Sequence, residues 1–390
     1  MPTDQRPVIA NMNYPSFLAK SETFIYNSLM QMERFRPICL AWNHANQDIF
    51  PFLREDLYLI PGGRGLPVRF LSGLQRWCFG RDAFAERTAL KILKDRHALL
   101  IHAHFGTSGV YAGRLKKMLA IPMVTTFYGF DVSKLARNRT WLKWYRELFA
   151  LGDLFLVEGP FMKMRLQELG CRSDKVGIQR IGIPIERLTF RPRKPKKAGE
   201  PVVLLFSGRF VEKKGILNAL RAVYAAHAQG AHLEFRLIGD GPLMASIRRF
   251  LREYGMQDYV HLLGYLPYAD YLAEMQKADI FVHTSVTASD GDSEGGAPTT
   301  ILEAQALGMP VIATRHADIP NVVVPGESAL LSPEGDWKDI CSNLGSMLDR
   351  QEAWEDMGRS GRSHVETHHD IRKETRSLEN RYAALLADKG

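Results

Sequence analysis

Residues 191–208, RPRKPKKAGEPVVLLFSG, decide the fold. The first part, RPRKPKKAGE, is polar, basic and contains Pro and Gly, the composition of an interdomain linker. The second part, PVVLLFSG, is a short apolar run closed by small residues, and reads as a strand entering a turn. Outward in both directions, apolar runs alternate with longer amphipathic stretches. Before the linker, strands are expected at 8–14, 37–42, 99–105, 121–129 and 154–159, and helices at 22–33, 84–96, 107–119, 138–150 and 160–169. After it, strands are expected at 201–208, 234–241, 260–264, 280–285, 310–314 and 329–332. Helices fall near 215–229, 242–254, 268–277, 298–307 and 336–349. Strands alternating with helices predict parallel, doubly wound sheets. The restart after Glu200 predicts two of them: a first domain over 1–190, a linker over 191–200 and a second domain over 201–370. The alternative for 191–200, a nucleic-acid or localisation patch, is weaker because the stretch sits between two complete α/β units. A last helix is expected over 371–388, with Ile371, Leu378, Tyr382 and Leu385 along one side; 371–390 can pack back on the first domain.

The composition sets bounds on function. The chain has 390 residues, 45% hydrophobic and 24% charged, enough for two ordinary cores. The start, MPTDQRPVIANMNYPS, lacks the basic and apolar regions of a signal peptide. No apolar run approaches the length of a membrane span, about 18 residues, and the expectation is a cytoplasmic protein. The four cysteines, Cys39, Cys78, Cys171 and Cys341, form no CxxC pair and read as reduced thiols. Residues 1–200 carry 32 Lys+Arg against 17 Asp+Glu, a balance of +15, whereas 201–390 carry −7. A basic first half beside an acidic second half suggests that the first half meets something anionic: a membrane face, a lipid pyrophosphate, an acidic glycan or nucleic acid. The alternative is a merely solvated basic surface.

Ligands of open α/β sheets bind beyond the carboxyl ends of the strands, so chemistry belongs in the loops that follow them and in the crevice expected between two such domains. SGRFVEKKG (207–215) places Arg209 and Lys214 at such an end. It is neither GxGxxG nor a P-loop. The two cations either clamp a diphosphate or decorate a surface loop. DGDSEGGAPTTILEAQALGMPVIAT (290–314) runs from an acidic loop into a short helix and a strand. A helix N-terminus attracts phosphate, Pro298 suits its first turn and Gly308 its end. Glu294 and Glu303 can accept hydrogen bonds from hydroxyls, and a buried Glu303 needs a polar partner. A calcium site at Asp290, Asp292 and Glu294 lacks the EF-hand spacing. In LLIHAHFGTSG (99–109), His102 and His104 share a strand face; one is expected packed and His104, at the strand end, facing the crevice. In TTFYGFD (125–131), Tyr128 and Asp131 either meet a sugar or serve the fold. In NYPSFLAKSETFI (13–25), Ser21, Glu22 and Thr23 either cap a helix or hold an acceptor. No GxSxG, HExxH or Cys/His pairing supports a covalent nucleophile.

Together YPSFLAKSETFI, IHAHFG, VTTFYGFD, SGRFVEKKG, LIGDGP, the 290–314 segment and PGESALLS resemble the retaining glycosyltransferases of family 4, of the colanic-acid and amylovoran type, over nearly the whole chain. The resemblance implies a GT-B fold, two Rossmann-like domains facing across a cleft. It implies that Arg209 and Lys214 hold the diphosphate, that Glu303 binds the ribose and that Glu294 contacts the donor sugar. Gly295, Gly296 and Ala297 would offer backbone N–H groups, Gly264, Tyr265 and Leu266 would lie near the base, and Gly208, Pro298 and Thr299 would complete the donor side. Ser21, Glu22, His104, Tyr128 and Asp131 would fall on the acceptor side. The chain departs from the pattern in three places. Eight residues, not the usual seven, separate Glu294 from Glu303; Tyr128 stands where many members have His; Asn321 stands where Glu is usual.

The function expected from this is transfer of a sugar from a UDP- or GDP-sugar to a glycan or lipid-linked acceptor in surface polysaccharide synthesis. Retention, no metal, no cofactor, no nucleic acid and a peripheral membrane contact through the basic half are expected with it. The rivals are another GT-B enzyme, such as a nucleotide-sugar epimerase or a phosphorylase, and a non-catalytic nucleotide-sugar or membrane-binding module.

Overall fold

The computed structural model describes residues 4–13, 16–43, 46, 49–52, 55–60 and 83–388. Tyr14 and Pro15 of the first loop, and Cys78, lie outside them. The chain divides into two compact units: Met1–Val157 with Lys163–Gln179 and Ile371–Gly390, and Glu158–Met162 with Arg180–Asp370.

The first unit is built on a seven-stranded sheet: β1 (Val8–Asn13), β2 (Arg36–Ala41), β3 (Leu57–Leu59), β4 (Leu100–His104), β5 (Met123–Thr126), β6 (Leu154–Val157) and β7 (Val176–Ile178), in the order β3-β2-β1-β4-β5-β6-β7. The second holds six strands: β8 (Val202–Ser207), β9 (Leu233–Ile238), β10 (Val260–Gly264), β11 (Ile280–His283), β12 (Val311–Thr314) and β13 (Ala329–Ser332), in the order β10-β9-β8-β11-β12-β13. The pairings are parallel throughout. Parallel strands covered by helices on both faces need apolar side chains on both, and β4 and β8 are buried at every position. Each sheet reverses its winding once, between β1 and β4 and between β8 and β11. These switch points are where doubly wound folds bind ligands.

All eleven expected strands are present. The sequence reading misses β3 and β7, edge strands of three residues, too short for periodicity to register. It also misses the helix Trp354–His368, whose Gly358 and Gly361 weaken the helical signal. Tertiary packing accounts for both glycines: a Cβ on Gly358 would lie 2.4 Å from the Gly308 carbonyl oxygen, and one on Gly361 3.1 Å from Gln305. The stretch 191–200 is only in part a free linker. Arg193 is 4% exposed and donates to the carbonyls of Arg191, Met275, Ala278 and Leu307, and burial pushes its guanidinium down to about 10.

The C-terminal helix Ile371–Ala387 belongs to the first unit. Glu379 Oε1 accepts from the backbone N–H groups of Glu33, Arg34 and Phe35 at 3.0, 2.8 and 3.3 Å. The Tyr382 hydroxyl lies 2.5 Å from His102 Nδ1, and Thr126 Oγ1 lies 2.7 Å from the other ring nitrogen. His102 is therefore the packed histidine, held neutral by burial. Cys39, Cys171 and Cys341 are buried free thiols. Among the described residues no helix is long and apolar enough to cross a membrane.

Candidate functional site

At the β8–β11 switch point, β8 ends in Ser207 and the chain turns through Gly208 and Arg209 into a 3-10 turn, Glu212–Lys214. Gly215 follows at φ +62, where a Cβ would lie 1.7 Å from the Thr284 carbonyl oxygen; Thr284 Oγ1 in turn donates to the Gly215 carbonyl at 2.9 Å. Only glycine fits that approach. The turn delivers three consecutive side chains onto the loop after β11. Glu212 accepts from the Ser289 N–H and hydroxyl at 2.9 and 2.7 Å. Lys213, buried, donates to Asp292 Oδ1 and the Ser293 carbonyl, both at 3.1 Å. Lys214 Nζ sits 2.8 Å from Glu294 Oε1, its alkyl stem crossing over Gly208. Arg209 is exposed, and its side chain makes no hydrogen bond or ion pair with any described residue.

The Glu294 carboxylate is therefore engaged before any ligand arrives. Burial alone would push it up, but the Lys214 and Lys213 ammonium groups overcome that and hold it at about 2. Its Oε1 also lies 3.4 Å from Ser285 Oγ, which in turn meets His283 Nε2 at 2.9 Å. Burial lowers His283 to about 3, so its ring is neutral. The Glu294 N–H donates to His316 Nε2 at 3.2 Å, which makes that nitrogen an acceptor and leaves Nδ1–H to donate to Glu334 Oε2 at 2.8 Å. Asp292 and Glu294 of the acidic loop are thus each paired with a lysine of the turn after β8. Among the described residues no group of three or more His, Cys, Asp and Glu could hold a metal ion.

Beyond Glu294, two backbone donors already have an acceptor. The N–H groups of Gly296 and Ala297, assigned by resemblance to the donor, donate to Glu158 Oε2, the second at 3.3 Å. Pro298 is the residue before the helix Thr299–Ala306, not within its first turn, while Gly308 takes the left-handed conformation at its end (φ +82) as expected. Glu303 has the partners that burial demands: the Tyr271 and Tyr268 hydroxyls donate to its oxygens at 2.6 and 3.1 Å. Burial nonetheless raises its carboxyl to about 7. Both tyrosines stand one turn apart at the start of the helix Tyr268–Lys277, just past Gly264, Tyr265 and Leu266 at the end of β10. Gly264 has φ +70 and open space on its Cβ side, and Tyr265 is exposed.

In the first unit, His104 ends β4 at the other switch point. It is 5% exposed, and burial lowers it to about 3. The Tyr128 hydroxyl lies 3.0 Å from His104 Nδ1, and Asn11 Oδ1 lies 3.2 Å from Nε2. Tyr128 donating to Nδ1 and Nε2–H donating to Asn11 satisfies both nitrogens. Tyr128 is half-buried between Phe24 and Phe105, ring centroids 5.1 and 4.7 Å away. Phe105 holds φ +71, a strained conformation for a bulky residue and one that collects at functional sites. Asp131 cannot touch an acceptor. It is fully buried, and its oxygens accept from the N–H groups of Gly106 and Tyr128 at 2.8 and 2.9 Å; burial still pushes it up to about 8. Glu22 turns back to Asn13 Nδ2 and the Ala19 N–H, so it does not cap its helix by side chain, and Ser21 is exposed. Asn321 donates to Asp318, which receives the Phe161 and Met162 N–H groups.

The sequence reading missed Glu158, Glu212, Lys213, Tyr268, Tyr271 and His316. All six are defined by contacts distant in sequence.

Comparison with known proteins adds a second line of observation. Residues 45–187 match the model of Glycosyltransferase Family 4, and residues 189–364 that of Glycosyl transferases group 1. The chain is similar to the amylovoran biosynthesis glycosyltransferase AmsK of Erwinia amylovora, 32% identical over 84% of this chain and 88% of AmsK. It is also similar to WcaL of Escherichia coli, named for colanic acid biosynthesis, 35% identical over 64% of this chain. The match spans only 62% of WcaL. The crystal structure of HepE from Anabaena in complex with UDP superposes with a TM-score of 0.79 at 14% identity, covering 97% of this chain and all of HepE. HepE has also been crystallised with UDP-glucose. At that identity the likeness concerns the fold, which is GT-B.

Proposed function

The chain belongs to the glycosyltransferases of the colanic-acid and amylovoran type, and from that premise we propose that it transfers a sugar from a UDP- or GDP-sugar to a glycan or lipid-linked acceptor in surface polysaccharide synthesis. Transfer proceeds with retention and without a metal. The observation that carries this is the Lys214–Glu294 pair beside the unpaired Arg209 at the β8–β11 switch point. When a nucleoside diphosphate leaves, negative charge grows on its terminal phosphate. Arg209 offers a planar fork and Lys214 a point charge to meet it. Front-face departure and attack then need no covalent nucleophile. Glu294, ionised at neutral pH, accepts hydrogen bonds from donor sugar hydroxyls, and Glu303 accepts from the ribose.

The first unit takes the acceptor, and its basic balance supports a membrane-linked one, met at the cytoplasmic face. Arg139, Lys143 and Arg146 repeat at helical spacing on Arg139–Leu151, with Arg137 just before it. All four are exposed, and their side chains make no hydrogen bond or ion pair with described residues. Trp141 and Trp144 lie on the same helix, centroids 4.9 Å apart, and cations beside tryptophan suit an anionic lipid surface.

Thermal-shift screening against a panel of nucleotide sugars tests the donor, because a ligand of the native state raises the apparent melting temperature. A UDP- or GDP-sugar is expected to do so. No response to any nucleotide sugar sinks the proposal.

A further inference from the structure

Glu158 has no role in the reaction as set out above. It follows β6 directly and is 7% exposed. Its Oε2 receives two consecutive backbone N–H groups, those of Gly296 and Ala297. They lie just ahead of the helix Thr299–Ala306, where the helix concentrates partial positive charge. One oxygen bonded to two successive N–H groups fixes two adjacent peptide planes. Gly296 confirms how closely the two segments approach: a Cβ there would lie 2.0 Å from Glu158 Cβ. Upstream, the same loop is gripped by Glu212, Lys213 and Lys214 through Ser289, Asp292, Ser293 and Glu294. Glu158 is the downstream grip, and the stretch between them is the one assigned to the donor sugar.

We propose that Glu158 is a positioning residue for the sugar-facing backbone of the loop Glu294–Pro298. It acts on the donor through Gly295, Gly296 and Ala297, without touching the diphosphate or the ribose. This rests on the reading of Glu294–Ala297 as the seat of the donor sugar. Removing the carboxylate leaves two buried N–H groups unpartnered and the loop free to shift, whereas glutamine keeps an acceptor oxygen in place.

Two measurements on the full chain test it. Hydrogen exchange without ligand reads the loop itself: Glu158→Ala is expected to lose protection over residues 294–302, and Glu158→Gln to keep most of it. Unchanged protection in Glu158→Ala overturns the proposal whatever the protein binds. Affinity for UDP-glucose and for UDP reads the consequence. Glu158→Ala is expected to weaken UDP-glucose about tenfold, with partial rescue in Glu158→Gln, while UDP stays within about twofold. Equal weakening of both ligands marks a general structural role and overturns the proposal. Tighter UDP-glucose binding overturns it too, since Glu158 would then be a placeholder in the donor's seat. If the wild type binds neither UDP nor UDP-glucose, GDP and GDP-mannose take their place with the same expected outcomes; if it binds neither pair, it is the donor reading that has failed, and the exchange experiment decides the fate of Glu158 alone.

Discussion

Glu294 and Glu303 are the same residue type on one segment, yet their surroundings drive them apart, to about 2 and about 7. Two ammonium groups keep the first ionised; the second has only tyrosine hydroxyls for company. The difference has a pH signature. Two ribose hydroxyls donate best to an ionised carboxylate, so donor affinity is expected to rise as pH rises through about 7, and Glu303→Gln is expected to flatten that profile; titration calorimetry across neutral pH reads it. Stability runs the other way. A folded pKa above the unfolded value means the native state holds the extra proton, so stability falls between the unfolded value, 4.5, and about 7. Glu303→Gln is therefore expected to raise the melting temperature above that window and to change it little in acid. At the cations, Arg209→Ala and Lys214→Ala are each expected to lower turnover by about two to three orders of magnitude, as for the loss of one oxyanion donor. Wild-type turnover in both would remove them from the mechanism. At this scale the sequence was half legible. Arg209 and Lys214 stood out because they sit in the loop after a strand, and Glu303 because it is a carboxylate in the short helix that follows one. Tyr268 and Tyr271 did not, because what singles them out is a carboxylate more than thirty positions away.

The element that organises the β8–β11 switch point is the turn Glu212–Lys214, whose three side chains all bond one neighbouring loop. It works only because Gly215 brings the backbone against Thr284. Gly215→Ala sets a Cβ against a carbonyl in a left-handed conformation, and is expected to cost about 2 kcal/mol or more and to weaken nucleotide binding as well. Chemical denaturation beside nucleotide titration reads both, and a fully stable Gly215→Ala with normal binding would refute the turn's importance. Elements were legible in the sequence where an apolar run could stand alone, as in PVVLLFSG. They were illegible where a neighbour supplies the reason: the helix Trp354–His368 spends two glycines to approach Gly308 and Gln305, and the docked Arg193 looked like one more linker cation.

At the scale of the molecule, the same doubly wound plan occurs twice, and both switch points carry a buried histidine at a strand end, His104 and His283. The plan itself was legible, since alternation and its restart are properties of the chain alone. The membership of the last helix was not, because its amphipathic stripe names no partner. Glu379 supplies one by accepting three N–H groups of the first unit. Glu379→Ala is expected to destabilise that unit by about 2 kcal/mol, and truncation after Asp370 to leave it prone to proteolysis while the second unit keeps its protection; limited proteolysis with mass spectrometry separates the two.

The C-terminal helix also sets an order of events. The chain passes from one unit to the other at Val157/Glu158, Met162/Lys163, Gln179/Arg180 and Asp370/Ile371. During synthesis the first sheet emerges earliest, yet Tyr382, which pairs with His102, and Glu379, which pairs with the backbone of 33–35, follow the whole of the second unit. The second unit has all of β8–β13 before the helix Ile371–Ala387 is made, and the first must wait for that helix.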